Sequence, residues 1–358
     1  MENQYKLRLE KIEEVLRFWL PDTVEPSSLW MEKVFGMPPE GISPPLVKSL
    51  IAPALDLVNR GGKRWRPLLM YLVAEAVAGE KGAAAALPLV PAVEFAHNAS
   101  LIHDDIEDNS DERRGKPAVH LLYGNDTAIN SGSFLYFLAL SCINGSDYPA
   151  ETKNRILRTW AVYMRRLHLG QAMDIAWHND HSSLPPVSEY IRMCCLKTGC
   201  LARMAAVLGV QCAEGCLDSG LPADLAETLG EGAEKLGVGF QILDDVKNLS
   251  TGVPGKKRGD DIVEGKKSLP VLLYLHRYPE QIEFTASCFK AARQKGITAP
   301  EIEEFISALE TAGILEEAEK KGVEFMLASR KSLTGQCFFA ENSQKILDGF
   351  VEFLEKST

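Results

Sequence analysis

An all-α fold is predicted by three features of the sequence. Apolar residues return every three or four positions through most of the 358 residues, which is the period of an amphipathic helix. No segment sustains the alternation of a half-buried strand. With 46% hydrophobic residues and no low-complexity linker long enough to separate domains, the chain can bury one large core. A length of this order gives a single large bundle of roughly ten or more helices.

Taken in order, residues 3 to 20 read as a helix with Leu9, Ile12, Leu16 and Trp19 on one face, stopped before Pro21. That stripe is expected to pack on the body or on a partner chain. The Pro/Gly-rich stretch from Gly36 to Pro45 sets residues 1–40 apart as an N-terminal helical extension and 41–358 as the main domain. In Gly61-Gly62-Lys63-Arg64-Trp65-Arg66-Pro67, two glycines free the backbone and Pro67 suits the first turn of the next helix. Lys63 supplies a point charge and Arg66 a planar fork for phosphate oxygens at a loop-to-helix junction.

Pro91 to Ser100 continues as helix into His103-Asp104-Asp105-Ile106-Glu107-Asp108. On a helix Asp104 and Asp108 lie one turn apart, with Cβ atoms about 6 Å from each other, and they repel unless a cation sits between them. So sparse a carboxylate set suits Mg2+, which completes its octahedron with water and substrate phosphate. Arg113 and Arg114 follow closely enough to bond the same phosphate. Lys197-Thr198 stands near a helix break. Leu225, Leu229, Ala233, Leu236, Phe240 and Leu243 form a helical stripe that ends at a second acidic pair, Asp244-Asp245. Gly230, Gly232, Gly237 and Gly239 let a neighbouring backbone approach that helix. Lys256, Lys257 and Arg258 then lead to Asp260-Asp261 and Lys266-Lys267. Residues 280 to 358 carry amphipathic helices such as Glu301 to Glu310 and no legible chemistry.

The net charge of −10 argues against nucleic acid as a general partner. No secretory leader and no apolar run of about 20 residues is read, so neither export nor a transmembrane segment is expected, and the reading is a cytoplasmic enzyme. The eight cysteines, Cys337 among them, show no paired zinc spacing and are expected as free thiols.

Five ordered motifs across roughly residues 45 to 275 make the chain resemble the trans-isoprenyl diphosphate synthases, the polyprenyl synthetase family. They are Gly62-Lys63-x-x-Arg66-Pro67; Asp104-Asp105-x-x-Asp108 with Arg113-Arg114-Gly115; Lys197-Thr198; Phe240-Gln241-x-x-Asp244-Asp245; and Gly259-x-Asp261-Ile262 with Lys266. His97-Asn98-Ala99-Ser100-Leu101, Ile129-Asn130-Ser131 and Gln171-x-Met173-Asp174 are most similar to the geranylgeranyl diphosphate synthases.

The resemblance implies the isoprenoid synthase fold around a central elongated cavity, a Mg2+ cofactor, isopentenyl and allylic diphosphates as substrates, and a homodimer. By it, Asp104, Asp108 and Asp244 hold the metal and the allylic diphosphate, with Asp105, Arg113, Lys197, Lys257 and Lys266 assisting. Lys63, Arg66, His97 and Arg114 hold isopentenyl diphosphate, and Thr198 and Gln241 stabilise an allylic cation. One position departs from the motif: Asn248 stands where aspartate is usual, and it is assigned no metal role.

Ala99 and Ser100 lie one turn before Asp104 and are too small to block a growing tail. Tyr136, Phe137 and His168 are expected to form its floor, which implies a twenty-carbon product. The competing readings are a farnesyl or longer-chain synthase, a noncatalytic subunit of a heteromeric synthase, and a class I terpene cyclase. A cyclase has no use for the second phosphate site at Lys63, Arg66 and His97.

Overall fold

The computed structural model describes all residues except 1, 25–27, 37–40, 181–183, 218–219, 253–256, 337–338 and 358. Lys256, Cys337 and residues 37–40 of the expected boundary stretch therefore lie outside the described residues.

The first helices are α1 (Glu2–Trp19), α2 (Leu29–Phe35), α3 (Pro44–Asn59), α4 (Trp65–Ala86) and α5 (Val90–Glu107). A two-residue hairpin, Glu112–Arg113 with Lys116–Pro117, is the one sheet among the described residues. Then come α6 (Val119–Tyr123), α7 (Asn125–Asn144), α8 (Ala150–Asn179), α9 (Val187–Cys194) and α10 (Cys200–Glu214), the last two joined by a π-helical turn at Cys195–Gly199. The chain continues through α11 (Leu225–Ser250), α12 (Asp260–Glu264), α13 (Leu269–Arg277), α14 (Ile282–Lys295), α15 (Pro300–Thr311), α16 (Ile314–Thr334) and α17 (Glu341–Ser357). The fold is all-α, as the periodicity predicts.

The main core joins helices from both ends of the chain. Ile12, Leu16 and Trp19 of α1 are buried in the same cluster as Leu68, Phe95, Leu236 and Phe350. Tyr5 Oη also donates to the Ile346 carbonyl at 2.9 Å, so α1 bridges to α17. The stripe on α11 is buried except for Phe240, which is half-buried at the cavity, and its glycines admit neighbours: a Cβ at Gly239 would stand 2.9 Å from the Gly322 carbonyl of α16. A second core formed by Ile262, Val271, Phe289, Phe305 and Ile314 gathers α12 to α16. That is the role of the amphipathic segment after residue 280.

Two sequence expectations change here. The pair Asp244-Asp245 does not end its helix, because α11 runs on to Ser250 and its last turns stay apolar on the buried face. Trp65–Glu107 and Val187–Glu214 are, by length and composition alone, apolar enough to cross a membrane, where the sequence suggests no such run. Their most apolar windows are 67% and 78% buried against other helices, which is the environment of core helices.

Candidate active site

Helices α4, α5, α8, α10 and α11 surround a cavity of about 390 Å3. Its walls carry Lys63, Arg66, His97, Ser100, Asp104, Arg113, Arg114, Lys197, Thr198, Gln241, Asp244 and Lys266. All were singled out in the sequence, and the fold brings them together from segments far apart in the chain.

On the acidic side, Asp104 Oδ1 accepts from Lys197 Nζ at 3.0 Å and Gln171 Nε2 at 2.9 Å. Its Oδ2 stands 3.5 Å from the Arg113 guanidinium. Burial opposes ionisation, but Lys197, Lys266 and Arg113 together hold the carboxyl well below the usual carboxylate range. Asp108 is kept in helical conformation as the cap of α5. Its side chain lies 3.2 Å from Lys266 Nζ, and burial pushes its carboxyl up against the pull of Lys266 and with the repulsion of Asp104. Two ammonium groups thus occupy the gap that the sequence assigned to a cation.

Asp105 turns away from the cavity. It is fully buried and pairs with Arg113, whose Nε donates to it at 2.8 Å. Adjacent helical residues point about 100° apart, so the two aspartates divide the work. Asp104 faces the cavity while Asp105 fixes the arginine beside it.

Lys197 also bonds Asp174 Oδ2 at 2.5 Å, a partner one helical turn from Gln171 on α8. The motif Gln171-x-x-Asp174 stood out in the sequence without receiving a role. Here the i, i+3 spacing puts both side chains on the face that meets Lys197 and Asp104. The π-helical turn adds one residue to the helix and re-aims Lys197 and Thr198. It is held by close approach from two sides: a Cβ at Gly170 would fall 2.4 Å from Lys197 N, and one at Gly237 2.7 Å from Gly199 Cα. Lys267 lines the cavity as well.

On α11, Thr198 Oγ1 donates to Gln241 Oε1 at 2.8 Å, and Gln241 Nε2 donates to Asp245 Oδ1 at 2.8 Å. Tyr190 Oη completes the chain, donating to Asp245 Oδ2 at 2.6 Å. Burial, with the charge of Asp261, pushes the Asp245 carboxyl up to about 7, opposed by these two hydrogen bonds. Asn248 is buried, and its Oδ1 accepts from the Asp261 backbone at 3.2 Å.

The basic side is ordered differently. Arg66 Nη1 lies 3.2 Å from His97 Nε2, and burial plus the neighbouring arginines hold His97 well below its ordinary value. The imidazole is therefore neutral and accepts from Arg66. Burial pushes Arg66 down to about 10, against the pull of Glu94, which leaves it charged at neutral pH. Arg114 Nη1 donates to the Leu57 carbonyl at 3.0 Å and to Asn98 Oδ1 at 3.2 Å. The Lys63 ammonium sits 4.9 Å from the centre of the Phe240 ring.

Other expected residues are placed elsewhere. Lys257 is exposed and lies outside the cavity wall. Ser100 lines the cavity, whereas Ala99 is fully buried beside it. None of the three residues expected as the floor lines this cavity. Phe137 is 70% exposed and His168 is also exposed, because burying the half of α7 that carries Leu135 and Leu138 turns Phe137 outward. Tyr136 is half-buried with its ring 5.6 Å from those of His103 and His168, and it does not line the cavity. Leu101, Leu167 and Leu201 supply the apolar wall instead.

The residues present fit a divalent cation. Asp104 and Asp244 offer hard oxygens to the cavity, while Asp108 lies behind its wall, ion-paired with Lys266 and with neither carboxylate oxygen hydrogen-bonded among the described residues. No group of three or more His, Cys, Asp or Glu side chains converges among the described residues, so an ion here draws its remaining ligands from phosphate and water. The seven described cysteines, including Cys212 and Cys216, are free thiols.

The fold and the site define an all-helical protein whose cavity sets carboxylates against basic side chains. The Polyprenyl synthetase family model matches residues 47–306, and the chain belongs to that family. It is similar to the geranylfarnesyl diphosphate synthase of Aeropyrum pernix, 35% identical over 228 residues that make up 61% of this chain and 68% of the relative. It is also similar to the geranylgeranyl pyrophosphate synthase of Geoglobus acetivorans, 32% identical over 289 residues, 80% of this chain and 84% of the relative. Over the first curated relatives the match spans 52 to 68% of their length. A solved structure of polyprenyl synthase from Caulobacter crescentus CB15, complexed with calcium and isoprenyl diphosphate, has a TM-score of 0.78 at 25% identity, covering 99% of this chain and 96% of that one.

Proposed function

We propose that the chain elongates an allylic diphosphate with isopentenyl diphosphate in a Mg2+-dependent reaction, and that the main product is geranylgeranyl diphosphate. One observation carries the reading: a single cavity is lined by Asp104 and Asp244 and by more basic groups than one diphosphate needs, Arg113, Lys197 and Lys266 around Asp104, and Lys63, Arg66 and Arg114 from other segments. That supply suits two diphosphates.

Asp104, Asp108 and Asp244 would hold Mg2+, which would supply charge neutralisation for the leaving diphosphate. Lys197, Arg113 and Lys266 are placed to bond its oxygens as the allylic C–O bond breaks, a preorganised electrostatic stabilisation. Lys197 and Lys266, now ion-paired with Asp104 and Asp108, lie within reach of a diphosphate that those aspartates would hold through the ion. Thr198 spends its hydroxyl hydrogen on Gln241, so its oxygen lone pairs are left for the developing cation. Leu101, Leu167 and Leu201 keep water from quenching that cation. Lys63, Arg66, His97 and Arg114 hold isopentenyl diphosphate so that its double bond attacks the cation. The proton then lost is taken by the departed diphosphate, and no protein nucleophile takes part.

A second copy of the chain is part of this reading. Leu121, Leu122, Ile129, Phe137 and Leu169 are exposed on α6, α7 and α8, and an apolar face of that kind supports the expected homodimer.

The test supplies isopentenyl diphosphate and Mg2+ with dimethylallyl, geranyl or farnesyl diphosphate and sizes the products. A twenty-carbon product from the primers is expected. No elongation with any primer would remove the reading, and a main product well beyond twenty carbons would remove the assignment of length.

A further inference from the structure

We infer that Glu13 of the N-terminal helix is a positioning residue for the isopentenyl diphosphate subsite, acting through Arg64. The inference rests on the assignment of Lys63, Arg66 and Arg114 to that substrate. Arg64 stands between Lys63 and Arg66, and its backbone is left-handed, with φ at 47°. A non-glycine residue holds that conformation only where its surroundings over-determine it. Here the side chain does so. It is almost fully buried, and its guanidinium bonds Glu13 at 2.7 Å, Glu94 at 2.9 Å, the Val58 carbonyl at 2.6 Å and the Gly61 carbonyl at 3.3 Å.

The same network reaches the other side of the subsite. Glu94 Oε1 also accepts from Asn98 Nδ2 at 2.8 Å, and Asn98 Oδ1 accepts from Arg114 Nη1 at 3.2 Å. Arg114 in turn packs on Gly62, where a Cβ would stand 3.2 Å from its guanidinium. A chain Glu13–Arg64–Glu94–Asn98–Arg114 therefore ties α1 to both sides of the phosphate-binding loop. Arg64 carries one charge between two carboxylates, so removing Glu13 leaves it to Glu94 alone and relaxes the loop from the α1 side. Glu13 is one-third exposed, which lets it be replaced without opening the core.

The experiment compares Glu13→Ala, Glu13→Gln and Arg8→Ala with the wild type. Arg8 makes a second ion pair between α1 and the body among the described residues, to Glu75 of α4 at 2.8 Å, away from the loop. For Glu13→Ala, KM for isopentenyl diphosphate rises about threefold to tenfold, as expected for one charge-assisted hydrogen bond shared with solvent, while KM for the allylic primer and kcat stay within twofold. Glu13→Gln, which keeps an acceptor, recovers part of the loss, and Arg8→Ala leaves both KM values unchanged. Titration of pyrophosphate without metal ion reads the same loop if the wild type shows no turnover, and Glu13→Ala then weakens binding by a similar factor. An isopentenyl KM within twofold of the wild type, an equal shift for both substrates, or the same shift in Arg8→Ala would overturn the inference, as would unchanged pyrophosphate affinity.

Discussion

Ser100 and Ala99 are neighbours of similar size, and the structure predicts opposite results from enlarging them. Ser100 lies four residues before Asp104 on the same face of α5, so its side chain enters the cavity about 6 Å along the helix axis from Asp104. Ala99 is turned about 100° away and is fully buried outside the cavity wall. Phenylalanine at 100 therefore fills space that a growing tail would use. Each five-carbon unit that finds no apolar space forfeits on the order of 4 kcal/mol at ~0.8 kcal/mol per carbon. That is enough to end elongation at least one unit early. Phenylalanine at 99 instead overpacks the core, at a cost of about 1–3 kcal/mol of stability. The assay sizes dephosphorylated products by chromatography and measures denaturant midpoints for both variants. Ser100→Phe should shift the main product from twenty carbons to fifteen with little loss of stability. Ala99→Phe should lower stability and leave product length unchanged. A shortened product from Ala99→Phe alone, or no change from Ser100→Phe, would refute the reasoning.

Two further outcomes follow from the same geometry. Gly170→Ala places a Cβ against Lys197 N and Leu196, so α8 must move off the π-helical turn. The expected result is a fall in kcat of at least about tenfold, since displacing a catalytic group by about an ångström costs this much or more, with a lower thermal midpoint. For Asp245, burial keeps the folded carboxyl protonated up to about 7, whereas the unfolded chain releases that proton near 4. Stability contributed by this group is thus complete below pH 4 and is lost as pH rises from about 4 to 7. The loss is on the order of 2–4 kcal/mol. Asp245→Asn should remove this fall from unfolding curves measured between pH 4 and 8, and an unchanged slope would show that Asp245 is ionised throughout.

Much of the site was legible because its chemistry sits in short motifs at helical spacing. Gly61 to Pro67 reads directly as a loop opening a helix, and Asp104 and Asp108 read as one face. What stayed hidden depends on contacts between distant segments. Neither Glu13 nor Glu94 announces that both meet Arg64, since a glutamate in a helix is normally solvated. Asp174 gives a weak signal, its spacing from Gln171, which acquires meaning only once α8 is laid against the π-helical turn. That turn was read as a break because glycine punctuates it, whereas Gly199 serves close packing on α11. Phe137 was misplaced for a related reason. Apolar character predicts burial, but only the packing of α7 decides which of two adjacent aromatics turns inward.

The central claim is that carboxylates of this cavity hold a metal ion for chain elongation. It is tested most directly by measuring incorporation of isopentenyl diphosphate into farnesyl diphosphate with Mg2+, after metal chelation, and in Asp104→Ala. The account predicts a geranylgeranyl product with Mg2+, none after chelation, and at least about a hundredfold lower rate in the variant, the scale of losing one principal electrostatic contact. Full activity of Asp104→Ala, or elongation that persists without a divalent ion, would contradict it.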